Sequence, residues 1–157
     1  MTRRANGNLL PWVHIMPTWC FNQSGAFALF HARLQVRRSR SIEPEHLLLG
    51  LLRAERKLIA SHLKNGWTVA RLQSVVKARL VPEAPDKVPH DVDVPFGAVT
   101  KQLIARASDI AAERGSTEFG SLELLVALVQ DNSCSVGQLL RESGLSPELL
   151  PSDQRKP

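Results

Sequence analysis

The residue whose type and setting come closest to chemistry is His46, which lies beside two carboxylates in the segment Glu43-Pro-Glu-His46. A zinc-protease helix carries H-E-x-x-H, so that two histidines one turn apart face the same way. Position 50 is instead glycine, and no ligand spacing relates the other four histidines, His14, His31, His62 and His90. We therefore predict that His46 packs or caps at the start of a helix and that it binds no metal.

Motifs for nucleophilic or nucleotide chemistry are also missing from the sequence. Ser24-Gly25 and Ser143-Gly144 lack the G-x-S-x-G context of a nucleophile elbow. No G-x-x-x-x-G-K-[S/T] segment offers a phosphate-binding loop. Cys20 and Cys134 stand far apart without C-x-x-C spacing, which indicates two buried thiols in a reducing cytosol. We expect no enzymatic activity and no cofactor.

The leucine-rich run that contains His46 recurs later in the chain. The segment 45–52, EHLLLGLL, aligns with 122–129, LELLVALV, at a shift of 77 residues, and the same shift pairs Ile42 with Phe119 and Trp19 with Phe96. This self-similarity predicts a tandem repeat of about 75 residues. Because β-branched residues form no alternating runs, the predicted fold class is all-α, with four helices in each repeat and eight in total.

Helical periodicity and capping residues place these elements. An apolar stripe predicts the first helix of the second repeat, and Gly115 is suited to end it; the stripe is Val99, Leu103, Ala107, Ile110 and Ala111. The corresponding stripe in the first repeat is Phe27, Phe30 and Leu34.

The leucine-rich runs predict central, buried second helices. Pro44 suits the first turn of one, and Ser121 is a plausible cap for the other. Third helices are expected near 57–65 and 135–143, and Thr68 and Ser146 would cap the fourth helices.

Four prolines within residues 81–95 exclude a helix and predict an extended connector. We expect the two repeats to pack as one domain about a pseudo-twofold axis. The predicted organisation is an irregular leader at 1–18, repeat 1 at 19–80, the connector at 81–95, repeat 2 at 96–150 and a tail at 151–157.

The leader resembles a signal peptide, but Pro11, His14 and Pro17 interrupt its apolar stretch. No window reaches the ~20 apolar residues that a membrane span requires. We expect a cytoplasmic protein that does not bind membranes.

The net charge is +5, and part of the excess lies in the arginines of 33–40. Such a patch either binds an acidic partner or forms a solvated face. The segment 136–150 is similar to a helix-turn-helix, although its second helix is short and carries an acid. Its counterpart at 66–77 is a better helix, which we expect to be apolar on much of its surface. A small nucleic-acid-binding protein is therefore the alternative function.

Residues 19–150 resemble the N-terminal domain of Clp ATPases. The resemblance rests on the E-H-L-L-L-G-L-L run, an aromatic residue at the start of each repeat and the G-Φ-[S/T] starts at Gly66 and Gly144. It implies an eight-helix pseudo-dimer of two four-helix repeats that docks adaptors and substrates for an unfolding motor. A stand-alone copy without that motor implies a monomeric, non-catalytic binder of Clp ATPase or protease components, adaptors or degron-bearing proteins.

The resemblance also implies two kinds of ligand site. Some relatives bind phosphoarginine in each repeat through a glutamate of the E-H run and a threonine after the aromatic start. Here repeat 1 keeps Glu45 but has Cys20 for the threonine, and repeat 2 has Leu122 and Gly97. Actinobacterial relatives accept cyclic peptides between the first helices of the two repeats. The matching residues are Phe27, Phe96 and Lys101, and core packing is the alternative role for both phenylalanines.

Overall fold

The structure is a computed structural model that describes residues 20–36, 41–80 and 94–147. Within these ranges the chain forms seven α-helices and no β-strand. They are α1 (Gln23–Leu34), α2 (Pro44–Ala54), α3 (Arg56–His62), α4 (Val69–Arg79), α5 (Ala98–Glu113), α6 (Ser121–Gln130) and α7 (Ser135–Glu142). The all-α class is confirmed. Most of the predicted eighth helix, the leader, the C-terminal tail and nearly all of the connector lie outside the described residues.

The two leucine-rich helices form the centre of the molecule, as predicted. Leu47 and Leu48 of α2 and Leu124 and Leu125 of α6 have no exposed surface. Helices α2 and α6 contact each other, α1 packs on α2, and α5 packs on α6. On the other sides α4 lies against α2 and α7 lies against α6. Each repeat therefore buries its central helix against the central helix of the other.

Equivalent residues close the first turns of the two central helices. His46 Nδ1 accepts a hydrogen bond of 2.9 Å from the backbone N–H of Glu43. A carboxylate oxygen of Glu123 accepts one of 2.7 Å from the N–H of Gly120. Capping by His46 is confirmed, and Pro44 is the first residue of α2. The prediction that Ser121 is the cap is wrong by one residue, because Gly120 holds that position.

Other helix boundaries follow the sequence signals. Thr68 Oγ1 accepts a hydrogen bond of 3.0 Å from the N–H of Arg71 and so caps α4. Gly115 follows the end of α5 with φ at +81°, a left-handed conformation that favours glycine. Arg33, the first residue of the predicted basic patch, is buried with 2% exposure, and residues 37–40 lie outside the described ranges.

Two reciprocal backbone pairings join the repeats and fix their alignment. Phe21 pairs with Phe119, just as Phe96 pairs with Ile42. The N–H of Asn22 donates to Phe119 O (2.9 Å), and the N–H of Gly97 donates to Ile42 O (3.0 Å). Asn22 is therefore equivalent to Gly97, at a shift of 75.

The first helices thus align at 75 and the central helices at 77. The predicted match of Trp19 with Phe96 is wrong, since Phe21 holds that position. The physical reason is that α5 has 16 residues and α1 has 12, so that the second repeat carries two extra residues before its central helix.

Candidate functional site

The outer face of α1 is apolar. Phe27 is 43% exposed, and Phe30 and Leu34 are half-buried. The core side of α1 consists of Ala28, Leu29 and Ala32, all without exposed surface. The phenylalanine stripe expected to enter the core therefore faces outward.

Close approach of α1 to α2 explains this orientation. A Cβ atom placed on Gly50 would lie 2.2 Å from the carbonyl oxygen of Ala28 and 2.8 Å from the nitrogen of Ala32. The backbones of the two helices are thus in contact, and only small side chains fit between them. Because phenylalanine would not fit there, α1 turns its alanine side inward.

A histidine lies within the exposed stripe. The ring of His31 lies 4.3 Å from that of Phe27 and 5.5 Å from that of Phe30, centroid to centroid. Burial, and secondarily the nearby guanidinium of Arg53, lower the pKa of His31 below its usual 6.5. Near neutral pH the imidazole is therefore uncharged and adds to the aromatic surface. We call Phe27, Phe30, His31 and Leu34 the α1 outer face.

The equivalent face of α5 has a different character. At the shift of 75, the α1 outer face corresponds to Gln102, Ala105, Arg106 and Asp109. Arg106 donates to Gln130 at 3.3 Å and pairs with Glu113 at 3.3 Å. A depression of about 380 Å³ lies between α5 and α6 here, and its lining includes Ala127, the equivalent of Gly50. The apolar outer face therefore belongs to repeat 1.

The three residues predicted for cyclic-peptide binding occupy different environments. Phe27 is exposed on α1, and Lys101 is exposed in the first turn of α5. Phe96 is only 3% exposed and belongs to the hydrophobic core. The alternative of core packing thus describes Phe96 and not Phe27.

The start of α2 meets the start of α5, which places Glu45 near the second repeat rather than near Cys20. Gly97 is the N-cap of α5, and a Cβ there would lie 2.6 Å from a carboxylate oxygen of Glu43. Ser41 donates a hydrogen bond to the same carboxylate. This helix-start site therefore holds Glu43 and Glu45 but lacks the hydroxyl expected at position 97.

The start of α1 meets the start of α6 in the same way. Asn22 caps α1 by accepting a hydrogen bond of 3.0 Å from the N–H of Gly25. Ser24 Oγ accepts one of 3.0 Å from the N–H of Ser121 in α6. This second site has polar groups but carries Leu122 where the first has Glu45. Each site is assembled between the repeats.

Sequence reasoning assigned the wrong residue to the second site. At the shift of 75 the residue equivalent to Gly97 is Asn22, and Cys20 lies two residues before it. The signal was present, because Phe21-Asn22 and Phe96-Gly97 both place an aromatic residue directly before a helix cap. The contribution of Glu43 had no sequence signal, since it depends on contact with a residue 54 positions away.

Two further observations apply to the described ranges. No three side chains of His, Cys, Asp or Glu come close enough there to hold a metal ion. No helix in those ranges is both long and apolar enough to cross a membrane.

Solved structures of low sequence identity share this fold. The N-terminal domain of the caseinolytic protease-associated chaperone ClpD from Arabidopsis thaliana superposes with a TM-score of 0.62 at 20% identity, over 82% of this chain and 88% of that one. A structure from preliminary structural investigations of a malarial protein secretion system superposes with a TM-score of 0.58 at 17% identity, over 90% of this chain and 87% of that one.

Sequence similarity supplies the family. A sequence model of the Clp repeat (R) N-terminal domain matches residues 27–143, well over half of the chain. The matched region includes both central helices and the α1 outer face. The chain therefore belongs to the Clp repeat N-terminal domain family.

Proposed function

We propose that this protein is a monomeric, non-catalytic peptide- and protein-binding module that serves Clp-dependent proteolysis in the cytoplasm. Domains of its family dock substrates and adaptors in Clp unfoldases. The observation that carries the proposal is the α1 outer face, where Phe27 remains 43% exposed. Both cysteines are free thiols, which fits a reducing compartment.

The α1 outer face has the composition of a docking surface. Aromatic side chains supply most of the energy at protein interfaces, because they bury a large area with few rotatable bonds. Fully burying a Phe side chain contributes about 1.5–3 kcal/mol. Since somewhat less than half of Phe27 is still exposed, covering it should contribute on the order of 1 kcal/mol, or about fivefold in affinity.

The equivalent positions of the two repeats provide a matched test. Phe27→Gln installs in α1 the residue that α5 carries at position 102, and Gln102→Ala is the control on α5. Tagged wild-type and variant proteins would be used for nuclease-treated affinity purification from cytosol, followed by mass spectrometry. We expect wild type and the control to recover Clp subunits, adaptors or their substrates, and Phe27→Gln to lose them. Equal recovery by all three proteins, or recovery of no Clp-related protein, would refute the proposal.

We also propose that phosphoarginine is not the ligand of the helix-start sites. A guanidinium group is held by a carboxylate in a bidentate pair, and Leu122 cannot form one. In the other site Glu43 lies at the start of α5, where its charge repels a phosphate that the helix N-terminus would otherwise attract. Calorimetry with phosphoarginine should show no saturable binding at the α1–α6 site and impaired binding at the α2–α5 site. Saturable binding at two sites would contradict this.

A further inference from the structure

The hairpin formed by α3, the turn at 63–68 and α4 concentrates positive charge. Residues 56–80 include no Asp or Glu. Their six cationic side chains are all exposed; these are Arg56, Lys57, Lys64, Arg71, Lys77 and Arg79. Within the described parts of the chain, ion pairs join Arg106 to Glu113 and Arg114 to Glu123, and none involves these six. The hairpin therefore presents uncompensated positive charge.

The outer surface of α4 is narrow and polar rather than apolar. Val69, Leu72 and Val76 are buried, and at about 100° per residue they define one side of the helix. The opposite side carries three small exposed residues, Ala70, Ser74 and Ala78. Arg71 and Lys77 lie at its two edges, about 120° apart around the axis. The expectation that this helix is apolar on much of its surface is wrong, because its apolar side is the one against the core.

The cationic groups of α4 are partly held in place. The guanidinium of Arg71 lies 4.1 Å from the centroid of the Trp67 ring, a cation–π contact. Arg79 donates a hydrogen bond of 3.0 Å to Ser135 at the start of α7. Side chains that are already ordered lose less conformational entropy when they bind.

The second repeat has the opposite charge. Its described residues expose the carboxylates of Asp109, Glu113, Glu118 and Glu142. A long polyanion is therefore attracted to one side of the molecule and repelled by the other. This polarity would orient the bound polyanion on the α3–α4 hairpin.

We infer that the α3–α4 hairpin binds duplex nucleic acid through the phosphate backbone, with α4 entering the major groove. A helix with small side chains at its centre and cations at both edges fits a groove about 12 Å wide with phosphates on either side. A membrane surface would require large apolar side chains on this face, and α4 has none on its outer side. A protein interface would usually have an aromatic or aliphatic centre, which the α1 outer face has and α4 lacks.

The test is fluorescence anisotropy of a labelled 20-base-pair duplex titrated with the full chain at several salt concentrations. Arg71→Gln, Lys77→Gln and the double variant remove charge from the edges of α4. Arg106→Gln is the matched control, because it removes one arginine charge from the second repeat. Circular dichroism establishes that every variant retains its helices.

We expect saturable binding whose log–log salt slope falls by about 0.9 for each single α4 variant and by about 1.8 for the double variant. Arg106→Gln and Phe27→Gln should leave both affinity and slope unchanged. Since Phe27→Gln acts on the proposed peptide surface alone, loss of peptide docking and loss of duplex binding are separable.

Three results would overturn the inference. The first is no salt-dependent binding of the duplex by wild type. The second is an equal effect of Arg71→Gln and Arg106→Gln. The third is displacement of the duplex by polyglutamate, or capture of phosphatidylserine vesicles, at equal concentrations of negative charge, which would show a surface for acidic proteins or lipids instead.

Discussion

The spacing between α1 and α2 depends on the absence of a side chain at Gly50, and Gly50→Ala tests this. The added Cβ would lie 2.2 Å from Ala28 O and 2.8 Å from Ala32 N. Both neighbours are backbone atoms, so no rotamer change relieves the clash. Ordinary van der Waals contact begins near 3.4 Å, and α1 must therefore move outward by roughly 1 Å.

The expected loss of stability follows from two opposing effects. Overpacking of a close-packed core costs about 1–3 kcal/mol, with backbone clashes at the upper end. The higher helix propensity of alanine offsets about 1 kcal/mol of this cost. We expect a net loss of about 2 kcal/mol, which lowers the melting temperature of a chain of this size by roughly 4–8 °C. Urea and thermal unfolding followed by circular dichroism measure both quantities.

The second repeat offers the control, because Ala127 holds the position equivalent to Gly50. Ala127→Gly should lose only helix propensity and a few buried contacts, about 1 kcal/mol or slightly more. If Gly50→Ala proves neutral or stabilising, the backbone contact does not set the helix spacing. The explanation for the outward phenylalanines would then fail with it.

Three further predictions concern individual side chains. Glu123→Ala should destabilise the fold by about 3 kcal/mol in urea unfolding, because a buried N–H and a largely buried guanidinium lose their partner. NMR titration should show a pKa for His31 below 6.5 that rises towards 6.5 in Arg53→Gln but does not reach it, since burial is the larger cause. The folded state then binds the proton more weakly than the unfolded state, so the His31 contribution to stability should be lost as the pH falls below 6.5. Burial and the neighbouring Asp131 raise the pKa of the Cys134 thiol to about 11, so alkylation by iodoacetamide at pH 8 should be slow and should accelerate in Asp131→Asn; an unchanged rate would contradict the assigned role of Asp131.

The parts of the fold that the sequence predicted depend on local patterns. The two leucine runs are apolar nearly all round, which leaves burial at the centre as their favourable position. Thr68 lies directly before an apolar helix and acts as its cap. For such elements the determining residues lie within one or two turns of each other, and the pattern alone is sufficient.

The orientation of α1 depends on a residue outside the helix. Both sides of α1 are apolar, so its own sequence permits either to face the core. The choice is made by Gly50, 22 residues after Ala28, through a backbone contact that periodicity does not register. The alignment of the first helices failed for a related reason, since the extra residues of α5 lie between two segments that each match well.

Divergence between equivalent positions connects the fold to its proposed functions. The repeats share a core in which His46 and Glu123 make the same capping bond with different chemistry. Outside the core, position 27 is phenylalanine in α1 and its equivalent in α5 is Gln102. Residues that pack are constrained in both repeats, because each central helix buries the other. Residues that face solvent have no such constraint, so one repeat acquired an apolar face and a basic hairpin while the other became polar and acidic. A duplicated core thus allows two separate surfaces on one small chain, and substitutions on either surface should leave the other intact.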